Sequence, residues 1–317
     1  MDMPAISIIV PTYNYARLLE KTLASINSQT LRDWECIVVD DGSTDETRTL
    51  VENLAARDGR FIYCHRVNGG AAAARNTGLE RVNPASRYVA FMDADDLWSP
   101  DALELLFKQA ESAPECIGAQ CVADAIDADG HLVGGGVHAD RIRHRLGIEN
   151  GKVIPWEASR PTSFNVMVFQ NFCPPGIFLI RRDVLEKTGL FDSAFAMTDD
   201  WDMQIRLSRH GAFVFLDKVL VHYRRHEVNN NPANARVVHR SLRLVRRRAF
   251  FSAENTPEQK QLARQAYRAW QYHKLSEKLV AARYNIKHGH LPRATICVVR
   301  AAGHLAFYLL GFPTTLG

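Results

Sequence analysis

Cysteine is scarce and shows no pairing pattern. Six residues (Cys36, Cys64, Cys116, Cys121, Cys173 and Cys297) are scattered over 317 positions without a C-x-x-C pair. Neither a zinc site nor a disulfide framework is expected. Most lie in apolar runs and read as buried thiols, which suits a reducing compartment. A secretory leader is also not expected, because the first apolar run, residues 6–10, is short and follows no basic stretch. Repeat arrays and low-complexity segments are missing too. Apolar residues make up 46% and charged residues 23%, which excludes wholesale disorder and collagen-like order. What remains is enough chain for one large domain or two ordinary ones.

Overall charge is slight at +4, yet it is unevenly placed. From His222 onward there are 17 Lys and Arg against 4 Asp and Glu, whereas the residues before it hold 22 against 31. An acidic body suits a site that uses a metal ion, and a basic tail suits anionic lipid or a nucleic acid. The tail carries no recognised nucleic-acid motif, so no nucleic-acid partner is expected.

Short apolar runs at 6–10, 36–39, 61–64 and 88–92 alternate with helices at 16–29, 70–80 and 100–112 and one that opens after the second run. Ser43 or Thr44 is the expected cap of the second helix, with Asp45 and Glu46 at its positive end. Beyond Val122 the pattern loosens. Residues 127–136 are turn-like, and 141–171, without a clean period, are expected to run over the active face. Further strands are expected at 177–180, 213–216 and 219–223, a helix at 200–209, and helices from 236 onward with a break at 289–292. The class predicted is α/β: a Rossmann-like, mostly parallel mixed sheet flanked by helices, with a C-terminal helical extension.

Open parallel sheets bind ligands at the carboxyl ends of their strands. Here the first strand ends in Pro11-Thr12-Tyr13-Asn14, the second in Asp40-Asp41-Gly42-Ser43 and the fourth in Asp93-Ala94-Asp95-Asp96. Five carboxylates on one edge repel one another, so a divalent cation or hydrogen-bond donors must offset them. A D-x-D pair can hold Mg²⁺ or Mn²⁺ and leave other positions to phosphates and water. An isolated D-x-D reads better as a solvated turn, with Asp96 or Ser99 capping the next helix. Asp41 and Tyr13 on neighbouring strand ends favour the metal reading.

Together these blocks, with Asn68-Gly69-Gly70 and Ala74-Arg75-Asn76-Thr77-Gly78 between them, resemble the family 2 glycosyltransferases over roughly residues 5–225. The resemblance implies the A-type (GT-A) nucleotide-sugar fold and inverting transfer from a nucleoside-diphosphate sugar, expected to be a UDP-sugar, to an acceptor hydroxyl in cell-surface polysaccharide or glycolipid synthesis. It implies nucleotide-sugar contacts from Pro11, Tyr13, Asp41, Arg75, Asp93, Asp95 and His226. Tyr13 would stack on the base, Asp41 would accept from a base N–H, and Asp93 and Asp95 would hold Mn²⁺ or Mg²⁺. Residues 1–100 would form the donor-binding half, 101–228 the acceptor-binding and catalytic half, and 229–317 the basic extension.

A later block, Gly189-Leu190-Phe191-Asp192 followed by Thr198-Asp199-Asp200-Trp201-Asp202, extends the resemblance. The family shows Glu-Asp and an aromatic here, its Asp being the base that deprotonates the acceptor. That role passes to Asp200, with Asp199 and Trp201 as candidate acceptor contacts, although Trp201 reads better as plain core than as a sugar-stacking platform. Asp199 stands where Glu is common, which keeps the charge and shortens the reach. Acids also favour a helix start, so one of the pair is expected to cap. Tyr223-Arg224-Arg225-His226, then Asn229 to Asn231, resembles the family loop that closes over the diphosphate, where Arg225 or His226 could neutralise the leaving phosphate. A solvated basic loop is the competing reading.

Two rival functions use parts of this pattern. A haloacid dehalogenase-like phosphotransferase also carries D-x-D after a strand, but its nucleophile follows the first strand, which here ends without an acid. A nucleotide-sugar-binding protein without turnover would not need both the metal motif and Asp200. In the tail, residues 293–312 are largely apolar (Ile296, Val298, Val299, Leu305, Phe307, Tyr308, Leu309, Leu310), nearly long enough to span a bilayer. Arg300 near the middle is costly in lipid, and Arg293, Arg300 and His304 share one narrow helical face. A helix in the membrane surface is therefore expected over a spanning one. Arg243, Arg246, Arg247 and Arg248 would add about 1 kcal/mol each on anionic lipid. These features place the protein in the cytoplasm, peripheral at the inner face of the membrane, with a glycan or lipid-linked acceptor. A hairpin packed on the catalytic domain or on a second subunit of a homo-oligomer is the alternative.

Overall fold

A computed structural model describes residues 4–195, 197–226 and 232–310. The first part alternates as the sequence predicts: β1 (Ile6–Thr12), α1 (Ala16–Asn27), β2 (Trp34–Asp40), α2 (Thr47–Ala55), β3 (Phe61–His65), α3 (Ala71–Leu79) and β4 (Tyr88–Phe91). A two-residue strand β5 (Leu97–Trp98) and α4 (Ala102–Ser112) follow. Every residue of β1 and β2 is buried, as continuous apolar runs require when helices cover both faces of a sheet. At the crossing of α3 over β1, Gly78 lies against Ile9, and a Cβ there would run into that side chain.

The middle of the chain is more ordered than its sequence suggests. β6 (Gly118–Ile126), α5 (Val137–Arg143), β7 (Leu146–Glu149), β8 (Lys152–Pro155) and α6 (Phe164–Met167) occupy it. β9 (Phe178–Arg181), α7 (Arg182–Thr188), α8 (Asp199–Leu207) and β10 (Phe213–Arg224) then complete the body. β7 and β8 form an antiparallel hairpin on Asn150-Gly151, both at positive φ, the dipeptide that two-residue hairpin turns favour. The two strands expected at 213–216 and 219–223 are one, β10, with register shifts against β6 between Phe215 and Val221.

One eight-stranded sheet runs β3-β2-β1-β4-β9-β6-β10-β5. The β1–β2, β1–β4, β2–β3 and β6–β10 pairs are parallel, and β9 lies antiparallel between β4 and β6. This is the mixed, mostly parallel sheet of the predicted class, and the carboxyl ends of β1, β2 and β4 share an edge.

The extension is helical: α9 (Pro232–Phe251), α10 (Pro257–Lys287) and α11 (Leu291–Leu310). The break before α10 was not expected; Thr256 and Gln259 close a reciprocal capping box there, with Pro257 in the first turn. α11 folds back on α10. His304 Nδ1 lies 2.6 Å from Gln271 Oε1 and the His304 ring meets Trp270 edge-on. Arg293 and Arg300 remain exposed, so the expected common polar face divides. Small residues fill the hairpin seam, with Ala282, Ala294 and Ala301 buried. Large ones face outward: Tyr272, Leu279 and Ile286 recur every seven residues on α10, and Leu291, Val298 and Leu305 do so on α11, all exposed. Among the described residues no helix is long and apolar enough to cross a membrane. Phe312 lies outside the described residues.

Candidate active site

The loops after β1 and β2 are fastened to each other. Asn14, at φ 55°, donates its N–H to Ser43 Oγ (2.9 Å) and accepts the Thr44 N–H on Oδ1 (2.7 Å). Ser43 and Thr44 do not cap α2, whose N-cap is Glu46 without a side-chain cap bond; Asp45, just before it, accepts from the Thr47 N–H at 3.1 Å and from its hydroxyl at 2.6 Å. Asp41 is buried and accepts from the N–H groups of Gly69 (3.0 Å) and Gly70 (2.7 Å) and from Arg66. Its carboxylate thus shapes the glycine turn that opens α3.

A cavity of about 520 Å³ lies over these ends, and Pro11, Tyr13, Asp41, Arg75, Asp93 and Asp95 all line it. Tyr13 is 46% exposed there, with a free face for stacking. The seventh expected contact, His226, reaches the same place through its Nε2, 2.8 Å from Asp95 Oδ2. Asn68 of the glycine block also lines the cavity, as do Tyr15 and Met197, which were not singled out in the sequence. Tyr15 meets the His226 ring edge-on at 5.6 Å, and burial and then the charges of Asp95 and Asp93 push its phenol up to about 12.

Asp93, Asp95 and Asp96 each bring a carboxylate oxygen to within 4.8 Å of the others. Asp96 does not cap a helix. It is fully buried, accepts the Arg224 N–H on Oδ1 (2.9 Å), and keeps Oδ2 without a hydrogen-bond partner. Arg224 also donates from Nε to the Asp95 carbonyl (2.9 Å), so the basic loop after β10 folds onto the acidic turn. Burial, then Asp95 and Asp93, push Asp96 well above the usual carboxylate range. Burial also raises Asp93, with Arg75 opposing. An all-oxygen cluster with an orphaned buried oxygen, whose repulsion Arg75 offsets only in part, fits a hard divalent cation.

Arg75 joins this cluster to α8. Buried, it donates to Asp93 Oδ1 (2.8 Å) and to Asp199 Oδ2 (2.5 Å). Burial pushes its guanidinium down, but Asp199, Asp93 and Asp200 outweigh this and hold it charged. With Asp199 occupied, Asp200 is the uncommitted acid of the pair. It accepts from the Trp201 N–H at 2.8 Å, and burial, then Asp199, push it up to about 7. Neither acid's side chain caps α8, whose N-cap is Thr198. Trp201, a candidate acceptor contact for which the core was the favoured reading, is fully buried with its Nε1–H donated to the Met167 carbonyl (2.8 Å). It belongs to the core, and no sugar reaches its face. Arg225 is exposed, and Glu227 and Asn229 to Asn231 lie outside the described residues.

Solved neighbours share this fold, the GT-A type of the glycosyltransferases. S. aureus TarS 1-349 in complex with UDP-GlcNAc superposes with a TM-score of 0.60 at 15% identity, over 92% of this chain and 90% of that one. The mannosyltransferase PcManGT from Pyrobaculum calidifontis, in complex with GDP-Man and Mn²⁺, gives 0.63 at 20% identity, over 98% and 79%. Residues 7–189 match the family model described as Glycosyl transferase family 2, and the chain belongs to that family. Among curated proteins it is 36% identical over 132 residues to the GalNAc(5)-diNAcBac-PP-undecaprenol beta-1,3-glucosyltransferase of Campylobacter jejuni, 41% of each chain. The matched segment spans less than half the length of the curated relatives it resembles.

Proposed function

We propose that this chain transfers a sugar, with inversion, from a nucleoside-diphosphate donor to an acceptor hydroxyl in the assembly of a cell-surface polysaccharide or glycolipid, a UDP-sugar being the expected donor. The observation that carries the reading is the Arg75 bridge, which ties the D-x-D turn to the acid pair of α8 beside one cavity. The two structural neighbours, in complex with UDP-GlcNAc and with GDP-Man and Mn²⁺, are in keeping with it.

Tyr13 offers a ring face to the base, and Asp41 an acceptor at the same wall. Asp93 and Asp95 would hold Mn²⁺ or Mg²⁺, which when bound neutralises diphosphate charge. Arg75 keeps Asp199 paired, and Asp200 takes the acceptor proton as the hydroxyl attacks the anomeric carbon from the face opposite the departing diphosphate. His226 orients Asp95. In a single displacement no covalent nucleophile is required.

The outward apolar face of the α10–α11 hairpin, on a tail with 17 basic and 4 acidic residues, complements an anionic lipid surface. A second copy carrying the same net-basic tail would be repelled. The chain is therefore read as peripheral on the cytoplasmic side of the membrane.

Titration of UDP with and without Mn²⁺ tests the donor reading. Wild type should bind UDP more tightly with the ion, and Asp95→Asn should lose at least about tenfold of that metal-dependent affinity, because a neutral amide replaces a carboxylate ligand. Unchanged Mn²⁺-dependent affinity would remove Asp95 from the ligand set.

A further inference from the structure

A second cavity, about 470 Å³, has a different chemistry. His138, Arg141, His144, Asn171, Cys173 and Arg246 are in its wall, and no carboxylate is. Arg246 is held between two indoles, its guanidinium carbon 4.6 Å from the Trp201 ring centre and 5.0 Å from that of Trp270. It donates to the Leu242 carbonyl of its own helix at 3.2 Å, and among the described residues no carboxylate pairs with it or with Arg141. Burial pushes Arg246 down to about 10. A desolvated cation without a counter-ion is unfavourable, and a bound anion offsets that cost. Asn171 Oδ1 is buried at the same wall without a hydrogen-bond partner, a vacancy that a ligand hydroxyl would fill.

The start of α8 connects the two cavities. Asp199 is bonded to Arg75 of the first, and Trp201 lies under Arg246 of the second. Asp200 stands between them in the chain. Cys173, in the second wall, is close enough to Asp200 that burial and then this charge raise its thiol.

We infer that the second cavity binds the acceptor, and that it selects an acceptor carrying an oxyanion, either phosphate or carboxylate, on or next to the sugar whose hydroxyl faces Asp200. Arg141 and Arg246 pair with the oxyanion and Asn171 accepts from a sugar hydroxyl. The assignment to the acceptor rests on the transferase reading above, whereas the selection of an oxyanion is measurable without turnover.

Calorimetry on the full chain, without metal, would compare octyl phosphate, octyl glucuronide and octyl glucoside, all below their micelle concentrations. At least one anionic probe should bind tenfold or more tightly than octyl glucoside, and the better of the two names the source of the oxyanion. Arg141→Glu, at an exposed position, should weaken that binding tenfold or more, and Arg246→Gln should do the same if it folds. Equal affinity for the three probes, or anion binding unmoved by Arg141→Glu, overturns the inference. A parallel titration with UDP and Mn²⁺ should give Arg141→Glu within twofold of wild type. Failure of wild type in that titration falls on the donor reading alone.

Discussion

The sheet and the terminal hairpin solve the burial problem in opposite ways. In β1 and β2 every side chain is inside, and the chemistry sits where the strands end. In α10 and α11 alanines occupy the seam while Leu279, Ile286, Leu291 and Val298 face outward. Large apolar side chains stabilise a fold through removal from water, so those of the hairpin contribute little to the folded chain by itself. The difference separates residues kept for stability from residues kept for contact.

The largest expected effect belongs to the body. Asp200→Asn should lower sugar transfer by roughly 10²–10⁴-fold, the weight of a positioned general base, with UDP binding retained. Wild-type transfer should fall as pH drops below about 7, because a carboxylate raised to that value by burial and by Asp199 is protonated there and cannot accept the proton. The variant's residual rate should lack that limb. If Asp199→Asn is dead while Asp200→Asn stays active, the roles of the pair are exchanged.

The contrast in burial is sharpened by paired substitutions read in urea unfolding. Ile8→Ala, at a fully buried position, should cost about 2–5 kcal/mol. Val299→Ser, where the side chain is 66% exposed, should change stability by no more than about 0.5 kcal/mol. Similar losses at both sites would mean that the hairpin face is covered.

The smallest effect is on partition to membranes. Full-length protein should co-sediment with phosphatidylglycerol-containing vesicles at low salt. Leu279→Ser combined with Val298→Ser should reduce the bound fraction severalfold, and a chain ending near Gly289 should not bind. Equal sedimentation of all three, or a concentration-dependent dimer that the double substitution abolishes, would replace the lipid surface with a second subunit.

The first half of the fold was legible because its strands are branched and apolar and its helices periodic. β6 was not. Its sequence, GAQCVADAI, is fully buried yet rich in small residues and carries Gln120 and Asp124, so neither alternation nor β-propensity marks it. Asn150-Gly151 and Thr256-Pro257 were readable punctuation that went unread. At the site, the strand-end acids were found because they are contiguous in the chain. Arg224, Tyr15 and Arg66 were not, because their partners Asp96, His226 and Asp41 are brought close only by the fold. Trp201 was kept as a candidate acceptor contact beside the favoured core reading because an aromatic after an acid pair looks the same in sequence whether it faces a sugar or the core.

The position of β9 has a consequence for how the chain is made. Its residues pair with β4 on one side and β6 on the other, but they are synthesised long after both. At about 5–20 residues per second, the ribosome takes on the order of several seconds to go from the end of β4 to β9. Through that interval the nascent first half exposes the open edge of β4, and β6 has no neighbour on its β9 side. Unpaired edges of this kind recruit other strands, so the arrival of Phe178–Arg181 closes the gap between β4 and β6, while the far side of β6 stays open until β10 is made.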